Sequence, residues 1–389
     1  MRRFGVAFDI DGVLTRAPRA IAGAKEALEL LQAADVPFCL MTNGGGSAEH
    51  VKAKQISDLL GLSAARPLRA EQVCLAHTPM RGLVPALRDR PVLLVGKHYP
   101  KIKEIAASYG FRKAVTLEEL HAAFPHMYPD IAPPPEALEL VNTRHAAGES
   151  MWGCRYQQMP KQEQGGAMSG AMSGFAAVLV FTDPIEWGRE LQLVVDVLGA
   201  PDGLVAGADS STNSGTSSGG SNNNAGGGHA VQCQDVALHM ACSDFLYAAQ
   251  WHQPRFGAGA FRMALEHLWL GLHGEELQQT IYGKPFPAQY RYVETMLASL
   301  GADGGGGGGG GGSSPGLDRY YMVGDNPLTD IRGARNAGEQ WRAILTRTGL
   351  WEGGENDEMD PADVVVPDVL EGVRWIMDQE KLSNRSGER

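Results

Sequence analysis

Four short segments hold most of the residues able to do chemistry. Asp9 and Asp11 lie two apart in Asp9-Ile-Asp-Gly-Val13, and Thr42, Asn43 and Gly44 follow an apolar run. Lys284 sits in Tyr282-Gly-Lys-Pro-Phe286, and Asp325 and Asn326 open Gly324-Asp-Asn-Pro-Leu-Thr-Asp330. Phosphoryl transfer asks for an in-line nucleophile, neutralised equatorial oxygens and a proton for the leaving oxygen. Asp9 is the expected nucleophile, forming an aspartyl phosphate. Asp11, brought back over it by the Gly12 turn, is the expected general acid and base. Magnesium prefers hard oxygen ligands, so Asp9, Asp325 and the backbone carbonyl of Asp11 are its expected ligands. The Thr42 hydroxyl and the amides of Asn43 and Gly44 are expected to bind the phosphate, with Lys284 countering the charge of both the phosphate and Asp9.

The elements that must position these groups are legible as alternating periods. Residues 4–8 form an apolar run ending at Asp9, residues 24–34 repeat at helical spacing, and residues 36–41 are a second buried strand. A helix with Val51, Ile56, Leu59 and Leu60 on its apolar side follows. Further strands are expected at 91–95, 176–181, 319–323, 341–345 and 364–366, and further helices at 102–109, 185–198, 327–337 and from 369 to about 380. Asn326 as N-cap, Pro327 as first helical residue and Gly338 beyond the end punctuate one of them. Strand–helix alternation of this kind makes an open α/β sheet, whose ligands bind at the carboxyl ends of the strands. The chemically loaded segments fall at such ends. Residues 146–174, 207–228 and 304–312 are rich in Gly, Ser, Asn or Gln and are expected to be disordered inserts.

Composition excludes several classes. A net charge of −11 with no block of Lys and Arg argues against nucleic acid as a partner. No apolar run is long enough to span a membrane. The cysteines are scattered with no C-x-x-C pair, which suits reduced thiols. Only residues 1–8 precede Asp9, so no transit peptide is visible, and either a cytoplasmic location or a leader lost from the start of the sequence is expected.

In order and placement the four segments resemble the motifs of the haloacid dehalogenase superfamily. The resemblance implies a three-layer Rossmann-like core with a parallel sheet, Mg2+ as cofactor, and Asp330 as a second acid of the last motif, behind the metal or bound to Lys284. The stretch from Asp11 to Thr42 is too short for a cap, whereas Asn43 to Lys284 is long enough. An α/β cap of the C2 type, as in subfamily IIA with its NagD-like, phosphoglycolate and pyridoxal phosphate phosphatases, is therefore implied. The expected division is core 1–87, cap 88–251 and core 252–389. Ala76-His-Thr-Pro-Met80, Tyr109-Gly-Phe111, Phe181-Thr-Asp-Pro-Ile-Glu-Trp-Gly188 and Pro254-Arg-Phe-Gly-Ala-Gly-Ala-Phe-Arg262 resemble the cat eye syndrome critical region type within that subfamily. That resemblance implies a mitochondrial hydrolase.

The function expected is magnesium-dependent hydrolysis of a small phosphorylated metabolite. A catalytically silent binding or scaffold protein on the same fold, and a phosphotransferase or mutase, are the alternatives. A homodimer through the cap is a further expectation. Arg255 is the first candidate for a substrate contact, with Asp183, Trp187 and Phe256 behind it, and His77 is read as structural.

Overall fold

Apolar runs four to six residues long become strands and the amphipathic stretches between them become helices, in a computed structural model that describes residues 3–16, 18–147, 174–205, 234–247, 250–303, 316–351 and 353–386. The expected inserts at 146–174, 207–228 and 304–312 lie outside the described residues, apart from positions 146, 147 and 174. In chain order the main strands are β1 (Phe4–Phe8), β2 (Phe38–Met41), β3 (Val73–Cys74), β4 (Val92–Val95), β5 (Ala114–Thr116), β6 (Ala177–Val180), β7 (Ala237–Met240), β8 (Thr280–Ile281), β9 (Arg319–Gly324), β10 (Trp341–Thr346) and β11 (Val364–Val366). The main helices are α1 (Ala24–Ala33), α2 (Glu49–Leu60), α3 (Tyr99–Tyr109), α4 (Leu117–Ala123), α5 (Pro135–Ala146), α6 (Trp187–Leu198), α7 (Ala258–His273), α8 (Pro287–Asp303), α9 (Arg332–Ala337) and α10 (Val369–Ser386).

The chain divides into two compact units: residues 1–81, 240–243 and 281–389 form one, and 82–239 with 244–280 the other. The first holds a six-stranded parallel sheet in the order β11-β10-β9-β1-β2-β3. Side chains alternate across a strand, and here the alternation sorts the core into two layers. Val6, Phe8, Leu40 and Val323 pack on α1, α2 and α10 through Leu28, Leu31, Ile56, Val369 and Val373. Ala7, Met41 and Met322 face the other way onto α8 and α9 through Tyr290, Val293, Leu297 and Ala334. Each fully buried aliphatic side chain in these layers contributes about 1.5–3 kcal/mol. The product is a helix–sheet–helix sandwich with β1 in its middle.

Within α2 the buried residues are Glu49, Ala53, Ile56, Ser57 and Leu60, a stripe at spacings of three and four. Val51 lies off that stripe and is exposed, which corrects its expected place on the apolar side.

The second unit carries a five-stranded sheet in the order β8-β7-β6-β4-β5, with β4 parallel to both β5 and β6. Helix α4 starts on a capping box: the Thr116 hydroxyl accepts the Glu119 N–H at 3.1 Å and the Glu119 carboxylate accepts the Thr116 N–H at 2.9 Å. Helix α7, whose first turn follows Gly257, packs on α6 in this unit. The expected boundary at 251/252 therefore falls inside the second unit, which runs on to residue 280. Among the described residues no helix is long and apolar enough to cross a membrane.

Candidate active site

The first unit brings the chemistry together at the carboxyl ends of β1, β2 and β9. Asp9 follows β1 directly, and its backbone N–H donates to Val323 O at 2.9 Å, so the sheet ladder sets where the side chain starts. Asp325 follows β9, and Asp330 lies in the first turn of the helical segment Pro327–Ile331, wound as a π turn ahead of α9. All three acids are buried, and one carboxylate oxygen from each lies within 4.8 Å of the others.

Lys284 reaches into this group from the loop ahead of α8. Its Nζ donates to Asp9 Oδ1 at 2.6 Å, to Asp330 Oδ1 at 2.7 Å and to Met41 O at 3.2 Å. Three donated hydrogen bonds require the ammonium form. Against the desolvation of burial, the Asp330 and Asp9 carboxylates hold that ammonium well above the usual lysine range. Burial pushes the Asp9 carboxyl up, to about 8, with Asp330 and Asp325 pushing the same way and Lys284 opposing. Burial and Asp330 likewise raise Asp325 to about 6, against the pull of the Leu350 N–H. With all three acids ionised, one ammonium would leave two negative charges unmatched, and that same repulsion is part of what raises Asp9 and Asp325. A hard divalent cation fits that donor set in charge and in ligand type.

Supporting contacts fix each group. Asp330 Oδ2 accepts the backbone N–H groups of Asp325 at 3.2 Å and Asn326 at 3.1 Å, while its other oxygen holds Lys284. The Asn326 side chain caps the helical turn by accepting from Leu328 N at 3.0 Å. Asp325 Oδ2 accepts from Leu350 N at 2.6 Å. Gly12, at φ 91°, tolerates no side chain, since a Cβ there would lie 2.3 Å from Asp325 Oδ2. Gly349 is as restricted, with a Cβ at 1.8 Å from the same oxygen.

Not every expected residue stands as expected. Asp11 is exposed, outside the acid cluster, with Oδ1 accepting from Thr15 Oγ1 at 3.3 Å; the third carboxylate of the cluster is that of Asp330. The turn carrying Asp11 is held by Thr348 Oγ1, which donates to Gly12 O at 2.6 Å. Thr42 is buried, and its Oγ1 accepts the Gly44 N–H at 3.0 Å, so that amide serves the turn itself. The Asn43 side chain grips the Lys284 backbone at both ends: Nδ2 donates to Lys284 O at 2.9 Å, and Oδ1 accepts from Lys284 N at 2.7 Å. His77 is buried against Ser47 O at 3.2 Å, and burial lowers it to about 4, a structural imidazole. Arg255, Asp183, Trp187 and Phe256 belong to the second unit and line a cavity there.

The hold of Asn43 on the Lys284 backbone and of Leu350 and Gly349 on Asp325 has no counterpart in the sequence motifs. Backbone amides leave no side-chain signature, and only the Gly in Thr348-Gly-Leu350 hints at a close approach.

A parallel sheet presenting a buried carboxylate cluster and a lysine at its carboxyl edge places a cation-binding site where open α/β cores bind their ligands. Residues 6–112 match the haloacid dehalogenase-like hydrolase family and residues 281–372 the HAD-hydrolase-like family. A Saccharomyces cerevisiae protein named as a mitochondrial hydrolase is 30% identical over 383 residues, 96% of this chain and 95% of that protein. A Schizosaccharomyces pombe cardiolipin synthase (CMP-forming)/mitochondrial hydrolase fusion protein is 30% identical over 388 residues, or 98% of this chain; the chain spans 55% of the fusion's length. Among solved structures, the p-nitrophenyl phosphatase of Archaeoglobus fulgidus shares the fold with a TM-score of 0.55 at 12% identity, covering 96% of this chain and 99% of that one. The chain belongs to the haloacid dehalogenase-like hydrolase family, and it is a hydrolase.

Proposed function

We propose that the protein is a magnesium-dependent phosphomonoester hydrolase working through Asp9. The observation that carries the reading is the buried cluster of Asp9, Asp325 and Asp330 around Lys284, three acids to one cation. Asp9 and Asp325, with the backbone carbonyl of Asp11, would hold the ion. When bound, it supplies Lewis-acid polarisation of the phosphoryl oxygens.

The residues of the chain do the rest. Lys284 engages Asp9 Oδ1, which leaves the other carboxylate oxygen to attack phosphorus. As that P–O bond forms, the ester P–O bond breaks, and Asp11 donates a proton to the departing alkoxide. Asp11, now a carboxylate, takes a proton from water, and the resulting hydroxide attacks the phosphoryl group on Asp9 to release inorganic phosphate. Thr42 and the Asn43 amide are the phosphate-binding groups, and Lys284 neutralises charge on the transferring group. Exposure of Asp11 suits a group that must meet both an alcohol and water.

The relatives named as mitochondrial hydrolases support a mitochondrial location, and the Archaeoglobus enzyme's activity supports p-nitrophenyl phosphate as a test substrate. Asp9→Asn keeps the shape of the side chain and removes the nucleophile. Release of p-nitrophenol with magnesium is expected from the wild type, and no turnover from the variant. Equal activity in the two rules out the mechanism.

A further inference from the structure

The second unit contains a cavity to whose residues the catalytic steps proposed above assign no role. It has a volume of about 640 Å³, and its wall includes Lys97, Asp183, Trp187, Tyr247, Arg255 and Phe256. A two-stranded antiparallel ribbon builds one side, pairing Tyr247 with Arg255 and Leu246 with Phe256. Residues paired across an antiparallel ribbon have neighbouring side chains, so Arg255 stands beside the Tyr247 ring. Lys97 Nζ lies 5.4 Å from the centroid of that ring.

The rings are unusually open to water. Phe245, Tyr247 and Phe256 are 48%, 40% and 63% exposed, although Phe256 has partners in Trp187 (6.1 Å between centroids) and Phe245 (5.8 Å). Exposed apolar surface in one patch marks a place where something binds.

The charges say what. Asp183 is the carboxylate of the wall, and both of its oxygens are engaged: Oδ2 pairs with Lys97 at 3.1 Å, and Oδ1 accepts the Ala258 N–H at 2.9 Å. Arg255 is exposed and donates Nε to Pro254 O at 3.0 Å; among the described residues it forms no ion pair. In a chain of formal charge −11, this wall carries two cations against one carboxylate. The volume falls within the roughly 300–1,000 Å³ of small-molecule sites, where a protein partner would want a broad flat face.

We propose that this cavity binds a small planar aromatic anion, its ring against Trp187, Tyr247 and Phe256 and its negative group on the Arg255 guanidinium. Stacking on exposed rings selects planarity, and a guanidinium that forms no ion pair among the described residues selects the charge.

Calorimetric titration of the full chain with 2-naphthoate, its neutral isostere 2-naphthamide and the saturated decahydro-2-naphthoate tests the site. One saturable site is expected, with 2-naphthoate at least about tenfold tighter than either control. Arg255→Met is expected to weaken 2-naphthoate about tenfold and leave 2-naphthamide unchanged. Phe256→Ala should weaken both aromatic probes and spare the saturated one. Both side chains are exposed, so unchanged melting temperatures verify that the variants fold. Equal binding of the three probes, or indifference to Arg255→Met, overturns the proposal. So does a dimer in sedimentation whose formation excludes 2-naphthoate, which would give the patch to a second copy of the chain. The readout involves no turnover, so a failed catalytic reading leaves this one standing and the converse also holds.

Discussion

Asp9→Asn should stabilise the metal-free protein while destroying its activity. Removing one partner of a buried ion pair usually costs stability, because the other charge is stranded. Here Lys284 keeps Asp330 at 2.7 Å, and an asparagine oxygen can still accept where Asp9 Oδ1 does. What disappears is the carboxylate that burial and two neighbouring acids penalise. Its pKa rises from 3.8 to about 8 on folding. A carboxyl raised in the fold lowers stability as pH climbs from the unfolded value toward the folded one, because the folded state wants the proton that the solvent removes. At pH 7 the pH lies about 3 units above the unfolded value, which at ~1.4 kcal/mol per unit gives about 4 kcal/mol as an upper bound for the gain. The gap should shrink toward zero at pH 4, where the wild-type acid is protonated in both states. Urea denaturation in EDTA, run from pH 4 to pH 8 on wild type and variant, measures it. Added Mg2+ should then stabilise the wild type more than Asp9→Asn. A variant less stable than wild type at pH 7 in EDTA, or a gap that ignores pH, refutes the charge argument.

Gly12→Ala should lower kcat by tenfold or more and cost about 1–3 kcal/mol, since it strains a left-handed backbone and drives a methyl into Asp325 Oδ2 at 2.3 Å; steady-state kinetics with denaturation read both. In the second unit, burial pushes Glu190 up to about 7 from 4.5, while the Tyr99 hydroxyl donates to it at 2.8 Å. That folded value lies above the unfolded one, so the unit should lose about 3 kcal/mol as pH rises from 4.5 to 7. Glu190→Gln should flatten the slope, as followed by hydrogen exchange over residues 177–198.

Much of the site was legible because its residues sit where strands end, and strand ends can be read from where an apolar run meets polar residues. Phe4–Phe8 stops at Asp9 and Arg319–Gly324 stops at Asp325, so the two carboxylates had to share one edge once both strands joined a parallel sheet. Lys284 is singled out in the sequence by its motif, and its depth in the cluster is not foreseeable from a loop beside Pro285. Asp330 was expected at Lys284 or behind the metal ligands; its two oxygens divide between Lys284 and the backbone of the Asp325 loop. Val51 misled because a β-branched apolar residue looks like core until the helix start at Glu49 sets the phase of the buried stripe. The division near residue 251 missed because α7 has apolar residues enough for either unit, and its packing on α6 decides.

The middle position of β1 has a consequence for how the protein is made. Its two hydrogen-bonded neighbours are β2, which emerges from the ribosome soon after it, and β9, which begins at residue 319. Until β9 emerges one flank of the central strand is bare, and Asp9 lacks its companion acids. A growing polypeptide therefore cannot assemble this acid cluster until β9 and the residues after it have emerged, and a product ending before β9 exposes a sticky strand edge to quality control.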